Sequence, residues 1–596
     1  MIYGKLSLKD WHTAQVMGEE PDSVFESADL RLFFYGILYN RDVLQSTSED
    51  SNAKIAAAVY TADPVYGFSR LDGSFTIVYY TEKECGIVRD HHGTHYPVYC
   101  TFDKNFATSW QFLQKQSQKS FNYNPCALSA FLQRGILKKG FGGMVDISVL
   151  EAGERFHIFS KDVNVLVRDS VFNNKFKVVI EKNPDIESYS HRYGELHKQA
   201  IRRRIGDSNR VGILLSGGYD SGSNLAALRS IYDGQIDSYS VGFKGDTWTE
   251  LPMARLMSDT FGTRHHEYEI DGSEINALPD IVRFLGEPFV EGGLMVNYCA
   301  MRMIGDDKPE VILGGDGNDQ YFWTAAREVA LFYLANRIGM HPLLSGVSQF
   351  LNYKIFDTGG KLSRINFHLD TILHLLEGDR FGFSDSDMHK LLQHPEKDIE
   401  LLQSLPVDTR SFEHLYTQHA SVVDMGIIIN RVVLYKSSRM ARMFGNNLAF
   451  PFTDLDIYNF MQELPISLRC KGDSNWAIAR GHCMLKYLLK YHYKSLFPET
   501  VASKKQQGGF APMPIFFHDQ ARRAHFKDFI LSSGIMDDYL CRDAVEAFLT
   551  RYDQEVVKSG CWFWYKQNKA LQYFNLLTLV IWWEEFVERN RVDFRE

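Results

Sequence analysis

Apolar positions along the 596-residue chain change their spacing near residue 180. Before that point the apolar runs are short and rich in aromatic and β-branched residues. Leu-Arg-Leu-Phe-Phe-Tyr at 30–35 and Ser-Phe-Thr-Ile-Val-Tyr-Tyr at 74–80 have the length and make-up of strands. Gly36, Gly67, Gly73 and Gly93 punctuate them, and Gly142, Gly143 and Gly153 mark later turns. This pattern predicts an antiparallel, sandwich-like domain over residues 1–183. Beyond Asn183 and Pro184, Tyr189, Tyr193, Leu196, Ala200 and Ile201 recur near helical spacing. They predict an amphipathic helix over 186–205, ending in Arg202, Arg203 and Arg204. That basic end suits a solvated helix terminus better than a nucleic-acid patch. Three short apolar runs follow, at 211–215, 238–242 and 311–313, with an apolar-periodic helix expected over 221–231. Strands alternating with helices predict a doubly wound parallel sheet, and from about residue 325 the pattern is mostly helical. The expected class is therefore a two-domain α/β and α+β chain, the second domain covering 184–596.

Composition narrows this picture a little. With 45% hydrophobic and 23% charged residues, the chain is neither disordered, collagen-like nor a coiled-coil rod. A net charge of −9 and a pI near 6.1 give no global basic footprint for nucleic acid. None of the 8 cysteines forms a CxxC pair, which points to reduced thiols in a cytoplasmic protein. The first residues lack the basic and apolar segments of a signal peptide. The apolar stretch 574–583 is about half the length of a membrane span, so it reads as a buried helix.

The chemistry is concentrated at the end of the first predicted parallel strand. There Leu214 and Leu215 lead into Ser216, Gly217, Gly218, Tyr219, Asp220 and Ser221. A helix start offers unpaired backbone N–H groups and partial positive charge to a phosphate, and two glycines let the backbone come close. Ser216 and Ser221 add hydroxyls. Asp220 repels phosphate directly, so it calls for a divalent cation between them. No GxxxxGK[ST] occurs, so the loop is expected to grip a pyrophosphate. A second acidic stretch, Gly314-Gly315-Asp316-Gly317-Asn318-Asp319, follows the third strand.

The first loop resembles the PP-loop of the ATP pyrophosphatase superfamily, and the second resembles the SGEGxDExF pattern of asparagine synthetases. The resemblance implies ATP and Mg²⁺ as cofactors, with Asp220 and Asp319 holding the metal. It also implies nucleotide contacts from Leu214, the 216–221 loop, Val241, Gly314 and Gly315. Val241 lies in Ser240-Val241-Gly242-Phe243, which resembles the family's adenine-contacting strand. Phe450-Pro451-Phe452-Thr453-Asp454 resembles the family's PFLD segment. The stretch from Lys486 to Lys490 resembles KxxLR, and Pro498 through Lys505 to Gly509 and Phe510 resembles a segment ending in K.GF. The first domain resembles the glutamine-hydrolysing Ntn-type half of the same enzymes. There Gly36 to Asn40 stands for NGEIYN, Leu71 to Phe75 for LxGxF and Arg89 to Tyr99 for RDRxGxKPLY.

The departures are informative. A working glutaminase has Cys after the initiator Met, whose thiolate attacks glutamine, but position 2 is Ile2. Tyr35 and Ile37 replace the Asn and Glu that flank Gly36 in the family, and an RGPD-type loop is absent. The first domain is thus expected to be an inactive, structural or partner-binding Ntn-like domain. Cys-less relatives include β-lactam synthetase, carbapenam synthetase and the lasso-peptide macrocyclases, which join a carboxylate to an amine in the same substrate. Lys486 is the expected catalytic cation that stabilises charge on the acyl-adenylate. Asp316, where asparagine synthetases have Glu, would orient or deprotonate the amine or cap the backbone. Ser437 stands where Asp is common and Ser503 where Arg is usual, so the substrate is not expected to be aspartate. His91, His92 and His95 fall in an ordinary turn of the pattern, and His265-His266-Glu267 at a position after a helix. The expected function is an AMP-forming carbon–nitrogen ligase, best specified as a lasso-type peptide macrocyclase. Its substrate would be a peptide or small amino-acid derivative, with a leader peptidase and a leader-binding protein as partners and no nucleic acid or membrane span. A β-lactam-type cyclase, an ammonia-dependent asparagine synthetase, a tRNA-modifying enzyme and a non-catalytic scaffold are the competing readings.

Overall fold

The computed structural model describes residues 1–596 apart from 9–10, 119–120, 160–164, 173–175, 246–248, 306, 352–358, 379–381, 399–405, 504–510, 559 and 596. The chain divides into two units. The first comprises Met1–Leu128 and Leu137–Asn174, and the second Ser129–Ile136 and Lys175–Glu596.

The first unit holds two sheets in which every strand pair is antiparallel. One runs in the order Met17–Gly18, Ile2–Lys5, Asn105–Ala107, Val98–Thr101, Ile147–Leu150. The other runs Val167–Ser170, Glu154–Phe159, Glu84–Arg89, Gly73–Tyr80, Arg31–Leu38, Ser23–Glu26. Strand alternation sorts their side chains between two cores. Phe33 and Tyr35, paired with Val78 and Thr76, send their rings into a cluster with Ile2, Val98, Cys100 and Phe106 of the other sheet. Leu32 and Phe34 point the opposite way, against Ala53, Ile55, Ala56 and Val59 of helix Asn52–Ala62. A slip of one residue in either strand would exchange these two faces. Ser51 caps that helix by accepting from the amide of Lys54 at 3.2 Å.

The second unit is built on a five-stranded parallel sheet. Its order is Arg264–Ile270, Gln235–Phe243, Arg210–Leu214, Val311–Leu313, Leu448–Ala449. The chain builds outward from Arg210–Leu214 in one direction, then returns to its other side at Val311–Leu313. A crevice opens at the carboxyl ends of strands where such a sheet reverses its winding. Both acidic loops leave from these two strands, so the reversal brings them together. The amphipathic helix spans Ile186–Ile205, with Tyr193, Ala200 and Ile201 fully buried and Asp185 as its N-cap.

Some elements differ from the sequence reading. The outer strand Arg264–Ile270, with the sequence RHHEYEI, is too polar to read as a strand. It forms because it completes the sheet edge, and it carries His265 and Glu267. Arg203 and Arg204 are not a solvated helix end. Arg204 is buried and donates to Asp454 at 2.8 Å and to the Phe450 carbonyl at 2.8 Å, while Arg203 pairs with Asp456 at 2.7 Å. The basic tripeptide anchors the segment after Leu448–Ala449. The late apolar stretch lies within helix Phe563–Trp583, whose residues 570–583 are all buried. Among the described residues no helix is long and apolar enough to cross a membrane.

Candidate active site

A cavity of about 540 Å³ opens at the carboxyl ends of the parallel strands. Leu214, Ser216, Gly217, Gly218, Asp220, Ser221, Val241, Gly315, Asp316, Asp319 and Lys486 all line it. Gly314 lies behind the wall. Its amide donates to the Ala449 carbonyl at 2.9 Å and its carbonyl accepts from Asn224 at 3.0 Å, so its backbone is committed to the sheet.

One end is made by the loop that precedes helix Tyr219–Arg229. Gly217 has φ +76°, and a Cβ there would meet Met253 Cβ at 2.6 Å and Ala254 N at 2.7 Å, so only glycine fits. The Ser216 amide donates to Ser221 Oγ at 3.1 Å, the two hydroxyls lie 3.1 Å apart, and the Gly218 amide donates to Ser216 Oγ at 3.3 Å. These bonds fold the loop tightly at the start of that helix.

Beside it, two carboxylates converge on one cationic point. Lys486 Nζ donates to both oxygens of Asp220, at 2.7 and 2.6 Å, and to Asp319 Oδ1 at 2.6 Å. Asn318 Nδ2 adds a donor to Asp220 Oδ1 at 2.5 Å. Lys486 is not an exposed helix lysine. It is 1% exposed and stands before helix Tyr487–Tyr493 with φ +53°. Burial opposes its charge, but Asp220 and Asp319 outweigh that and hold its pKa above the ordinary value. Hard oxygen donors gathered around an ammonium suit magnesium, which takes one or two carboxylates and fills its remaining positions from phosphates and water. Among the described residues no group of three or more metal-ligating side chains occurs.

The opposite end was only partly legible in the sequence. The π-helical stretch Ala420–Val433 runs into helix Leu434–Met443, which delivers Lys436 and Ser437. Ser437 Oγ donates to Asp316 Oδ2 at 2.6 Å, and Lys436 Nζ donates to Glu291 Oε2 at 2.7 Å. Glu291 also accepts from the Gly293 amide at 2.7 Å, where helix Leu294–Ile304 begins. Burial lifts the Asp316 carboxyl above its usual range, with the Lys436 ammonium and the Ser437 hydroxyl pulling the other way. Glu291 and Lys436 escaped the sequence reading. The one local signal was the Ser437 departure, since Lys436 is its neighbour. Ser503 is exposed and donates to the Glu499 carbonyl at 2.7 Å. Lys505, Gly509 and Phe510 lie outside the described residues.

The histidine turn of the first unit is organised by Asp90, which accepts from the amides of His92, Thr94 and His95 at 3.1 Å each. Ile2 is fully buried in the core between the two sheets, and its amide donates to Thr108 Oγ1 at 3.0 Å.

The sequence model of asparagine synthase matches residues 192–584, which takes in both acidic loops, Lys436 and Lys486. This chain belongs to the asparagine synthase family. A provisionally named asparagine synthetase (glutamine-hydrolysing) 2 of Methanocaldococcus jannaschii is 24% identical over 317 residues, 50% of this chain and 60% of that protein. A provisionally named homologue in Mycobacterium tuberculosis is 29% identical over 342 residues, covering 54% of this chain and 48% of that one. The mouse asparagine synthetase (glutamine-hydrolysing) is 26% identical over 146 residues, 23% of this chain and 26% of that protein. The chain thus matches about half of the length of the microbial relatives. In this asparagine synthase family member, the matched region is the part that builds the cavity.

Proposed function

We propose that this chain is an ATP-dependent amide-bond-forming synthetase whose glutaminase-like half is inactive. The observation that carries the reading is the single cavity that joins the 216–221 loop, the Asp220–Lys486–Asp319 cluster, the part-buried Asp316–Ser437 pair and the buried Glu291–Lys436 pair. A carboxylate oxygen of the substrate attacks the α-phosphorus of ATP, pyrophosphate leaves, and an amine then displaces AMP from the acyl-adenylate. The 216–221 loop cradles the pyrophosphate. Asp220 and Asp319 would hold a magnesium ion, which supplies positive charge against the phosphates. Lys486, freed from the aspartates, places its ammonium against charge on the acyl-adenylate. Asp316, ionised in a partly desolvated setting that makes it a stronger base than a fully solvated carboxylate, takes a proton from the attacking ammonium. Ile2, in place of a nucleophilic cysteine, supports an amine other than glutamine-derived ammonia.

In its most specific form the reading is a lasso-type peptide macrocyclase, in which a peptide's N-terminal amine attacks an Asp or Glu side chain. It would work in the cytoplasm with a leader peptidase and a leader-binding protein. The Glu291–Lys436 pair offers opposite charges side by side, which also suits the carboxylate and ammonium of a free amino acid. This favours the small-substrate ligase as the second reading. Pyrophosphate release with ATP and Mg²⁺ separates the two, using linear peptides with an internal Asp or Glu against aspartate plus ammonia, with Asp220→Ala as the blank. Peptide-dependent release with a product lighter by one water supports the macrocyclase. Release only with aspartate and ammonia supports the second reading, and release equal to the blank throughout counts against the synthetase.

A further inference from the structure

The second unit holds a further cavity, of about 280 Å³. None of the described residues that line it lines the cavity at the strand ends. Helices Lys361–Leu373, Asp385–Leu391, Arg542–Arg551 and Phe563–Trp583 contribute its walls. The interior is aromatic. Phe367 meets Trp562 edge-to-face at 5.5 Å, and Phe383 meets Phe548 edge-to-face at 5.2 Å. Two carboxamides of helix Phe563–Trp583, one turn apart, interrupt this surface. Gln572 is 5% exposed, and its Nε2 donates to the Gly382 carbonyl at 3.0 Å, which fixes the orientation of the group. Its Oε1 is buried without a partner, and so is Oδ1 of Asn568. Buried acceptors are rarely left unpaired, so these two mark a place for a ligand's N–H groups.

The charged side chains around the cavity are matched to their neighbours. Arg551 donates to Glu555 Oε2 at 2.8 Å and to Tyr565 Oη at 3.1 Å, and the Lys569 ammonium lies 5.5 Å from the centre of the Tyr565 ring. Asp387 accepts from Ser384 Oγ at 2.8 Å, and Asp370 Oδ1 lies 3.3 Å from His374 Nε2. The interior is thus neutral and aromatic, and a phosphate or a free amino acid would enter it only by losing hydration. The spacing of the two acceptors narrows the ligand further. One helical turn advances about 5.4 Å, and N–H groups on one edge of an extended chain recur every second residue, roughly 6.6 Å apart. We propose that this cavity binds an extended peptide segment. One aromatic or branched apolar side chain enters among Phe367, Phe383, Phe548 and Trp562, while backbone N–H groups of one edge donate to Asn568 Oδ1 and Gln572 Oε1. Lys390 and Ala547, which also line the cavity, are exposed, so the peptide can run on into solvent. A peptide substrate of the synthetase would be held here at a second point of its chain. That role rests on the reading above, whereas the peptide site itself does not.

The test uses the full chain without ATP and follows binding of the neutral peptide acetyl-Gly-Gly-Phe-Gly-Gly-amide by ligand-observed nuclear magnetic resonance. Saturable binding is expected. It should weaken about tenfold when Ala replaces the peptide's Phe, and about tenfold or more when every peptide nitrogen is methylated. Asn568→Leu should weaken the unmodified peptide about tenfold and leave the methylated one unchanged. Ala547→Trp, a substitution at an exposed position on helix Arg542–Arg551, should fill the cavity and abolish binding. The proposal is overturned if the peptide does not bind saturably, if the methylated peptide binds equally well, or if Ala547→Trp binds like the wild type. Peptide binding by a chain that does not bind MgATP would remove the synthetase reading and leave the site standing. Pyrophosphate release without binding of the pentapeptide would do the reverse.

Discussion

Lys486 adopts a left-handed backbone conformation that costs a side-chain-bearing residue about 1–2 kcal/mol, and it is held there by Asp220 and Asp319. Its ammonium takes the place that a divalent cation between those carboxylates would fill. Lys486→Met should therefore do two opposite things. Turnover should fall by about 10²-fold or more, as when a positioned charge is removed from a transition state. Binding of Mn²⁺ without nucleotide, followed by the electron paramagnetic resonance of the free ion, should tighten. Asp316 shows a similar opposition between function and stability. Its folded carboxyl sits above its unfolded value, so any stability linked to it is present at low pH and is lost as pH rises through the folded value. At neutral pH the ionised, partly buried carboxylate is a cost to folding. Asp316→Asn should raise Tm at pH 7 while lowering turnover by about 10²-fold, and the acid limb of the wild-type pH–rate profile should vanish with it. A variant with lower Tm would refute the assignment of burial as the dominant cause.

At the scale of elements, one buried histidine ties the frame of the site together. His197 of helix Ile186–Ile205 accepts from Tyr493 Oη at 2.6 Å through Nδ1 and donates to Asn224 Oδ1 at 2.7 Å through Nε2. Asn224 then bonds to the Gly314 carbonyl, behind the second acidic loop. This arrangement needs neutral imidazole, and burial brings the His197 pKa down to about 4. Between the unfolded value near 6.5 and that folded value, the unfolded chain binds the extra proton. Stability is full above about pH 6.5 and is lost as pH falls toward 4, by about 3 kcal/mol in all. Urea midpoints measured across this window should follow that slope in the wild type and flatten in His197→Gln. Of these elements, the helix Ile186–Ile205 and the strand Val311–Leu313 were legible in the sequence because their apolar spacing is local. The strand Arg264–Ile270 was not, because its charged side chains are tolerated only at the edge that the sheet provides.

At the scale of the molecule, the cavity is lined, among the described residues, by those of the second unit, and the first unit has two hydrophobic clusters of its own. Bound nucleotide stabilises the unit that binds it. Saturating MgATP should slow hydrogen exchange at 216–221 and 316–319, and at the helix that follows Lys486. It should leave the strands Ile2–Lys5 and Gly73–Tyr80 unchanged. Equal protection in both units would contradict a site confined to the second.

The sequence by itself determined the glycine loop at 216–221, the second acidic motif and the strand–turn–helix order that places them. These depend on glycine conformations, on backbone N–H groups at a helix start and on apolar spacing, all of which act between near neighbours. Only the tertiary structure decided that Lys486 sits between Asp220 and Asp319, although 266 positions separate it from the first of them. The same holds for the pairing of Lys436 with Glu291 and for the burial of Arg204 against Asp454. A charge is affordable in a protein interior only beside its partner. Which charges meet is settled when the sheet reverses its winding and the helices close over it, and no local pattern of residues carries that information.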